Sequence, residues 1–238
     1  MTLAIISNNI STDSARELAK ALKCKYINLQ NTKKRSFLEF DWVFKYGVSK
    51  KIEANNVLNT SKATTRAIDK IQTFKTLAND NITIEYTESI EEARNWIDQG
   101  FIVVARKVAT GANGDGLSYC TNQQQLTDTP AIFWTKFFFH TNEFRVNIWK
   151  GKVISIYEKT RQKTHFKFTL WQGQEEHPQL QKIATSVWKN IKLDWCGIDL
   201  LRDNQGNLKI IEVNSAPVLY PFTIKKLAKH ILQETQNA

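Results

Sequence analysis

The sequence predicts an α+β protein, and three observations carry that reading. Short strand-like runs dominate residues 101–161, two amphipathic stretches at 178–191 and 223–233 repeat at helical spacing, and a turn-rich hairpin covers 197–214. Strands gathered together with helices laid alongside describe sheet layers covered by helices. At 238 residues the chain can bury a proper core as one large domain or as two to three small lobes.

Taken in order, residues 3–7 read as a buried strand, and 12–23 as a helix with Ala15, Leu18, Ala19 and Leu22 on one face. Strands at 26–29 and 41–48 complete a small α/β lobe over residues 1–58. A helix over 64–79 carries Ala67, Ile68, Ile71, Phe74, Leu77 and Ala78 as an apolar stripe, with Lys70 off it. Residues 82–86 form a strand, and a helix over 89–99 turns Ile90, Ala93, Trp96 and Ile97 inward until Gly100 stops it. Strands follow at 101–107, 117–120, 131–139, 143–150 and 152–161. Two helices close this sheet, the first with Leu180, Ile183, Ala184, Val187, Trp188 and Ile191, the second with Ile224, Leu227, Ala228, Ile231 and Leu232. The expected division is a short amino-terminal lobe (1–58), a central lobe (59–134) and a carboxy-terminal lobe (135–238).

A composition of 42% hydrophobic and 24% charged residues, with 9 Gly and 4 Pro, is that of an ordinary globular protein and excludes disorder. No apolar run approaches the roughly 20 residues of a membrane span, and the opening apolar run is too short for a signal peptide, so a cytoplasmic protein is expected. Cys24, Cys120 and Cys196 are widely spaced, which suggests buried free thiols and neither a disulfide framework nor a zinc site. His140, His165, His177 and His230 are scattered too, so any metal must use oxygen ligands. A net charge of +10 points to anionic partners, nucleotide phosphates or nucleic acid. The basic residues form no tail, which weakens the nucleic-acid reading.

Chemistry concentrates in the hairpin. With Gln205-Gly206 as a two-residue turn, Asp199 lies opposite Glu212, and Asn214 shares their face because strand side chains repeat every two residues. Facing carboxylates destabilise a sheet unless something positive lies between them, and these oxygens are the ligands that Mg2+ prefers when it also holds phosphates. From the hairpin alone, a solvated face and a metal-phosphate site are both open. Gly111-Ala112-Asn113-Gly114-Asp115-Gly116 lacks the lysine and helix of a P-loop, so it is either a plain turn or a flap over phosphates. Lys159, Arg161 and Lys163 alternate along a strand, and Arg145 interrupts the polar face of Glu143, Asn147 and Trp149. The tract Phe133-Trp134-Thr135-Lys136-Phe137-Phe138-Phe139 suits sheet core or a wall for adenine.

In this order, over about residues 59–222, these pieces resemble the ATP-grasp family, including its D-alanine ligase and ribosomal-protein glutamate ligase branches. The run Glu212-Val213-Asn214-Ser215-Ala216-Pro217 is the most telling segment. The resemblance implies the ATP-grasp fold, with two α/β lobes clamping ATP. It implies that Lys70 and Arg106 bind phosphate, that Gly111, Asn113, Gly114 and Gly116 form the mobile flap, and that Thr135, Lys136, Phe137 and Phe138 read adenine. Glu143 would hold ribose, Lys159 the γ-phosphate, Arg145 and Arg161 a carboxylate or oxyanion, and Asp199, Glu212 and Asn214 the metal, Mg2+ or alternatively Mn2+.

Arg106 stands where a lysine is common, Thr135 where an acidic adenine contact is common, and the amino-terminal lobe is short. The activity implied is ATP-dependent joining of a carboxylate to an amine through an acyl phosphate, on an amino acid, a peptide or a polyanionic acceptor. An ATP-grasp kinase acting on a small anionic substrate, or a non-catalytic nucleotide or nucleic-acid binding protein, are the alternatives.

Overall fold

Each long element of the fold exists because one face of it is apolar, and three sheets result. The structure is a computed structural model that describes residues 2–8, 13–111, 116–163, 165–171 and 178–236. The first sheet is built from β1 (Leu3–Ser7), β2 (Lys25–Asn28), β3 (Trp42–Tyr46) and β4 (Asn56–Leu58), with α1 (Asp13–Ala21) crossing over between β1 and β2. Its strands are parallel in the order β2-β1-β3-β4. Both faces are covered, as parallel sheets require. One packs Ala4, Ile6 and Val43 against Phe37 and Phe40, and the other packs Leu3, Ile5, Phe44 and Tyr46 against α1.

The single helix expected over 64–79 is two helices. α2 (Ser61–Ile68) ends at Asp69, whose extended backbone (φ −89°, ψ 113°) starts α3 (Lys70–Leu77). Asp69 takes the N-cap position, its Oδ1 accepting from the Gln72 N–H at 3.1 Å. Such a cap is worth about 1 kcal/mol, and it turns Lys70 into the first residue of a helix. The strand expected at 82–86 reduces to a bridge from Thr83 to Ile210 and to β5 (Tyr86–Thr87).

After α4 (Ile90–Asp98) come β6 (Val103–Arg106), β7 (Leu117–Cys120), α5 (Gln123–Asp128) and β8 (Phe133–Lys136), which with β5 form the second sheet, ordered β5-β8-β6-β7. The third sheet takes β9 (Asn142–Trp149), β10 (Lys152–Arg161), β11 (Phe166–Leu170), β12 (Trp195–Arg202) and β13 (Leu208–Asn214) in the order β11-β10-β9-β12-β13. The strands of residues 101–161 therefore divide between two sheets. α6 (Pro178–Ile191) covers one face of the third sheet with Leu180, Ile183, Ala184 and Val187. α7 (Pro221–Gln236) packs its Leu227, Ala228 and Ile231 into the cluster that joins the first sheet to Trp149, Ile154 and Trp195. The amino-terminal lobe thus shares a core with the rest of the chain.

Asn59, at φ +59°, pins the exit from β4. Its N–H donates to Asp194 Oδ2 at 2.7 Å, its Nδ2 donates to the Trp195 carbonyl at 2.9 Å, and its Oδ1 accepts from the Trp195 N–H at 3.0 Å. Cys120 and Cys196 are buried free thiols as expected, whereas Cys24 is half-buried. Among the described residues no helix is long and apolar enough to cross a membrane.

Candidate functional site

One face of the third sheet is apolar and the other carries the charge. Phe144, Val146, Ile148, Ile198, Leu200 and Val213 point into the core under α6. Residues on the opposite face line up in rows across the strands. Tyr157 pairs with Arg145, Arg145 with Asp199, and Asp199 with Glu212. The adjacent row holds Ser155, Asn147, Gly197 and Asn214.

The expected pairing of Asp199 with Glu212 is present, by a different route. The turn is longer than two residues: Gly206 N–H donates to the Asp203 carbonyl at 3.2 Å, and Asp203 N–H donates to the Asn207 carbonyl at 3.1 Å. That aligns Leu200 with Ile210, one residue short of the needed register, and a β-bulge at Ile211 restores it. The core positions Leu208, Ile210 and Val213 record the bulge as a break in the two-residue repeat.

Cations hold these carboxylates together. Arg145 makes a bidentate pair with Asp199, Nε to Oδ1 and a terminal nitrogen to Oδ2 at 2.9 Å. Burial disfavours the Arg145 cation, but Asp199, joined by Glu212 and Glu143, outweighs it and holds the guanidinium above its ordinary range. Lys159 donates to Glu143, lies 3.6 Å from Asp199 Oδ2, and sits over the Phe166 ring at 4.2 Å. Lys70 Nζ donates to the Gly111 carbonyl at 2.7 Å and lies 3.4 Å from Glu212 Oε1. Burial pushes the Glu212 carboxyl up, and Lys70 offsets only part of that. Gly197 is what lets the chain close over this row: a Cβ there would sit 2.8 Å from Arg145 Cδ and 2.9 Å from Pro217.

The inner face of the second sheet forms the opposite wall. Arg106 is 9% exposed, stacks on Phe133 at 5.7 Å, and donates from Nε to Thr135 Oγ1 at 3.3 Å. Burial lowers its pKa to about 10, and Glu212 opposes that shift, so the group remains a cation at neutral pH. A buried guanidinium with five donors and so few acceptors nearby is suited to an anion. Beside it lies an apolar patch of Phe74, Ile84 and Phe133, flanked by Ile71, Tyr86, Phe138 and Ile211. Of the glycine-rich segment, Gly111 and Gly116 are described, the latter at φ +73° with its carbonyl accepting from the Lys107 N–H at 3.0 Å. Asn113 and Gly114 lie outside the described residues.

Other expected residues are placed differently. Lys136 turns its ammonium to Glu85 at 2.8 Å and to the Phe101 ring at 4.3 Å. Its N–H and that of Phe137 donate to the Glu85 and Ile102 carbonyls. Arg161 is exposed at the end of β10, one side-chain repeat beyond Lys159, and Lys163 lies past the strand, which ends too early to carry it. Tyr157 and Gly197 went unnoticed in the sequence; the first continues the alternation of Lys159 and Arg161 backwards, but Gly197 gave no local signal.

The chemistry of the donor set fits a hard divalent cation. Two carboxylates sit opposite each other, and burial keeps the Glu212 charge costly even with Lys70 beside it. Among the described residues no three His, Cys, Asp or Glu side chains converge, and the amide of Asn214, paired with Gly197, is the side-chain oxygen donor two residues on from Glu212. That amide has a buried Nδ2 with no acceptor among the described residues. Turned over, it would present Oδ1 instead, which a cation would satisfy.

With this geometry in hand, similarity to known proteins is informative. The model of the RimK-like ATP-grasp domain matches residues 67–234. The ribosomal protein bS6–L-glutamate ligase of Escherichia coli is 26% identical over 181 residues, covering 68% of this chain and 60% of that protein. The chain therefore spans about three fifths of that curated relative. Among solved structures, the ATP-grasp ligase PsnB complexed with minimal precursor, Mg and ADP aligns with a TM-score of 0.74 at 11% identity, over 98% of this chain and 97% of that one. The D-alanine–D-alanine ligase of Bacillus anthracis complexed with ATP gives 0.72 at 14% identity, over 100% and 98%. The fold is that of the ATP-grasp ligases.

Proposed function

From the premise that this chain belongs to the RimK-like ATP-grasp domain family, we propose that it is an ATP-dependent ligase that joins a carboxylate to an amine. The row Arg145–Asp199–Glu212, faced by Lys70 and Arg106, carries the reading. It sets two carboxylates for a metal beside cations for a triphosphate, next to an apolar cluster whose partly buried edge is Ile71, Tyr86, Phe138 and Ile211. Four cations (Lys70, Arg106, Arg145, Lys159) meet three carboxylates (Glu143, Asp199, Glu212). The excess positive charge suits a polyanionic ligand.

Asp199, Glu212 and Asn214 would hold Mg2+, which neutralises phosphate charge and aligns the phosphates for transfer. Lys70, at the start of α3 beside Gly111, and Arg106, across from it, bind phosphate oxygens. A carboxylate oxygen of the substrate attacks the γ-phosphorus, the bond to the bridging oxygen breaks, and ADP leaves. The amine nitrogen then attacks the acyl carbon and loses a proton, and the carbon–oxygen bond to phosphate breaks. Arg145 and Lys159 stand beside this centre, where positive charge stabilises the developing oxyanion. An amino acid is the proposed donor of the amine and a peptide or protein the proposed source of the carboxylate, as the name of the E. coli relative pairs glutamate with a ribosomal protein.

The test is ADP release with Mg2+ across amino acids and acidic peptides, each with and without added amine, with products weighed by mass spectrometry. Amide formation that consumes one ATP supports the reading. ADP formed with a phosphorylated product and no need for amine would refute it.

A further inference from the structure

The segment after Asn214, residues 215–220, is held by the amino-terminal lobe. Tyr46, at the carboxyl end of β3, is buried and donates its hydroxyl to the Pro217 carbonyl. Its ring stacks on Trp195 at 5.3 Å, and the hydroxyl also meets the Ser14 side chain. Gly47 follows at φ +69°, and a Cβ there would lie 2.7 Å from the Ala216 Cβ. Two residues on from Pro217, the Leu219 N–H donates to Ser14 Oγ at 3.0 Å, at the start of α1. Three points of the lobe thus grip consecutive parts of one short segment.

That segment reaches the charged row directly. Pro217 and Arg145 crowd the space above Gly197, Gly197 pairs with Asn214, and Arg145 holds Asp199 by both oxygens. Moving Pro217 by a fraction of an ångström would shift the stem of Arg145 and the strand end that carries Asn214, because packed groups transmit displacement.

We infer that Tyr46 is a positioning residue: through Pro217 the amino-terminal lobe sets the spacing of Asp199, Glu212 and Asn214 for the divalent ion. The inference rests on the metal assignment proposed above. It gives the short lobe a role in nucleotide activation that needs no acceptor contact. Burial raises the Tyr46 phenol, so the hydroxyl stays a donor at any working pH.

Tyr46→Phe keeps the ring and removes the hydroxyl, and Ser14→Ala releases the other anchor. Two readouts apply to each variant: hydrogen exchange of residues 215–220 in the unliganded protein, and Mn2+ affinity with ADP, followed by the electron paramagnetic resonance of free manganese. Both variants should exchange 5- to 10-fold faster in this segment, as loss of one buried hydrogen bond implies. Tyr46→Phe should also weaken Mn2+ about 5-fold or more while the protein remains folded at the assay temperature. Faster exchange with unaltered Mn2+ affinity would overturn the inference, since the grip would then be structural only. Unaltered exchange would overturn it as well. A parent protein that takes up no Mn2+ with ADP would instead defeat the metal assignment, and this inference with it.

Discussion

Asp199 and Glu212 face each other across β12 and β13, yet neutralising them should change stability in opposite ways. Asp199 is 2% exposed, and it supports the bidentate pair with Arg145 and the nearby charge of Lys159. Asp199→Asn leaves Arg145 buried without its bidentate partner, a loss of about 3–5 kcal/mol for breaking one partner of a buried pair. At roughly 2–4 °C per kcal/mol for a chain of this length, the melting temperature should fall by about 10 °C. Glu212 differs because burial holds its carboxyl above the usual range. Folding therefore favours the neutral form: the destabilisation from its charge is full above the raised pKa and shrinks as pH falls from there to the unfolded value. Glu212→Gln removes that charge, while Lys70 keeps the Gly111 carbonyl. Its melting temperature should stay within about 3 °C of the parent or exceed it. Thermal melts at pH 7 without ligand decide the matter, with ADP release lost in both variants. Equal destabilisation of the two, or an Asp199→Asn protein that melts like the parent, would refute the electrostatic reasoning.

Arg106→Met should stabilise the unliganded protein, because the cation it removes is buried with, among the described residues, a single hydrogen bond, to Thr135. ATP affinity measured by calorimetry should fall about 10- to 100-fold, the worth of one or two charged hydrogen bonds; unchanged affinity would remove Arg106 from the phosphate site. Lys45 gives a pH signature. It is fully buried on β3, donates to the Lys50 carbonyl at 3.0 Å and to Ser61, and burial pulls its pKa down to about 8. Between that value and its unfolded pKa of about 10.4 the unfolded chain binds more protons, so stability should rise with pH by at most about 3 kcal/mol. Urea denaturation at pH 7 and 9.5 should show this rise in the parent and its absence in Lys45→Met; identical slopes would contradict it.

The sequence alone reached the chemistry of the site further than its architecture. Period-two alternation put Arg145 on one face and Phe144 and Val146 on the other, as found, because a strand with one face buried must alternate. The facing of Asp199 and Glu212 was reached through a two-residue turn that the structure replaces with a longer loop and a bulge at Ile211. Sheet membership was not legible. Whether β8 pairs with β6 or with β9 depends on partners far away in sequence, and the strands of residues 101–161 looked continuous until the structure divided them. The break at Asp69 did have a local signal, a capping side chain followed by Gln72, which the apolar stripe running through it concealed. Lys45 carried no mark of its burial, since its stem lies among neighbours contributed by β1 and the loops. The glycine-rich flap remains a sequence expectation at Asn113 and Gly114.

The extra residue at Ile211 has an effect that reaches past register. An unbroken strand sends adjacent side chains to opposite sides, but here Ile211 joins the apolar patch with Phe74 and Phe133 while Glu212, its immediate neighbour, meets Lys70 and Asp199. Oil-like and ionic surroundings therefore abut across one peptide unit. A ligand with a flat greasy ring at one end and a charged tail at the other could rest against consecutive residues of a single strand.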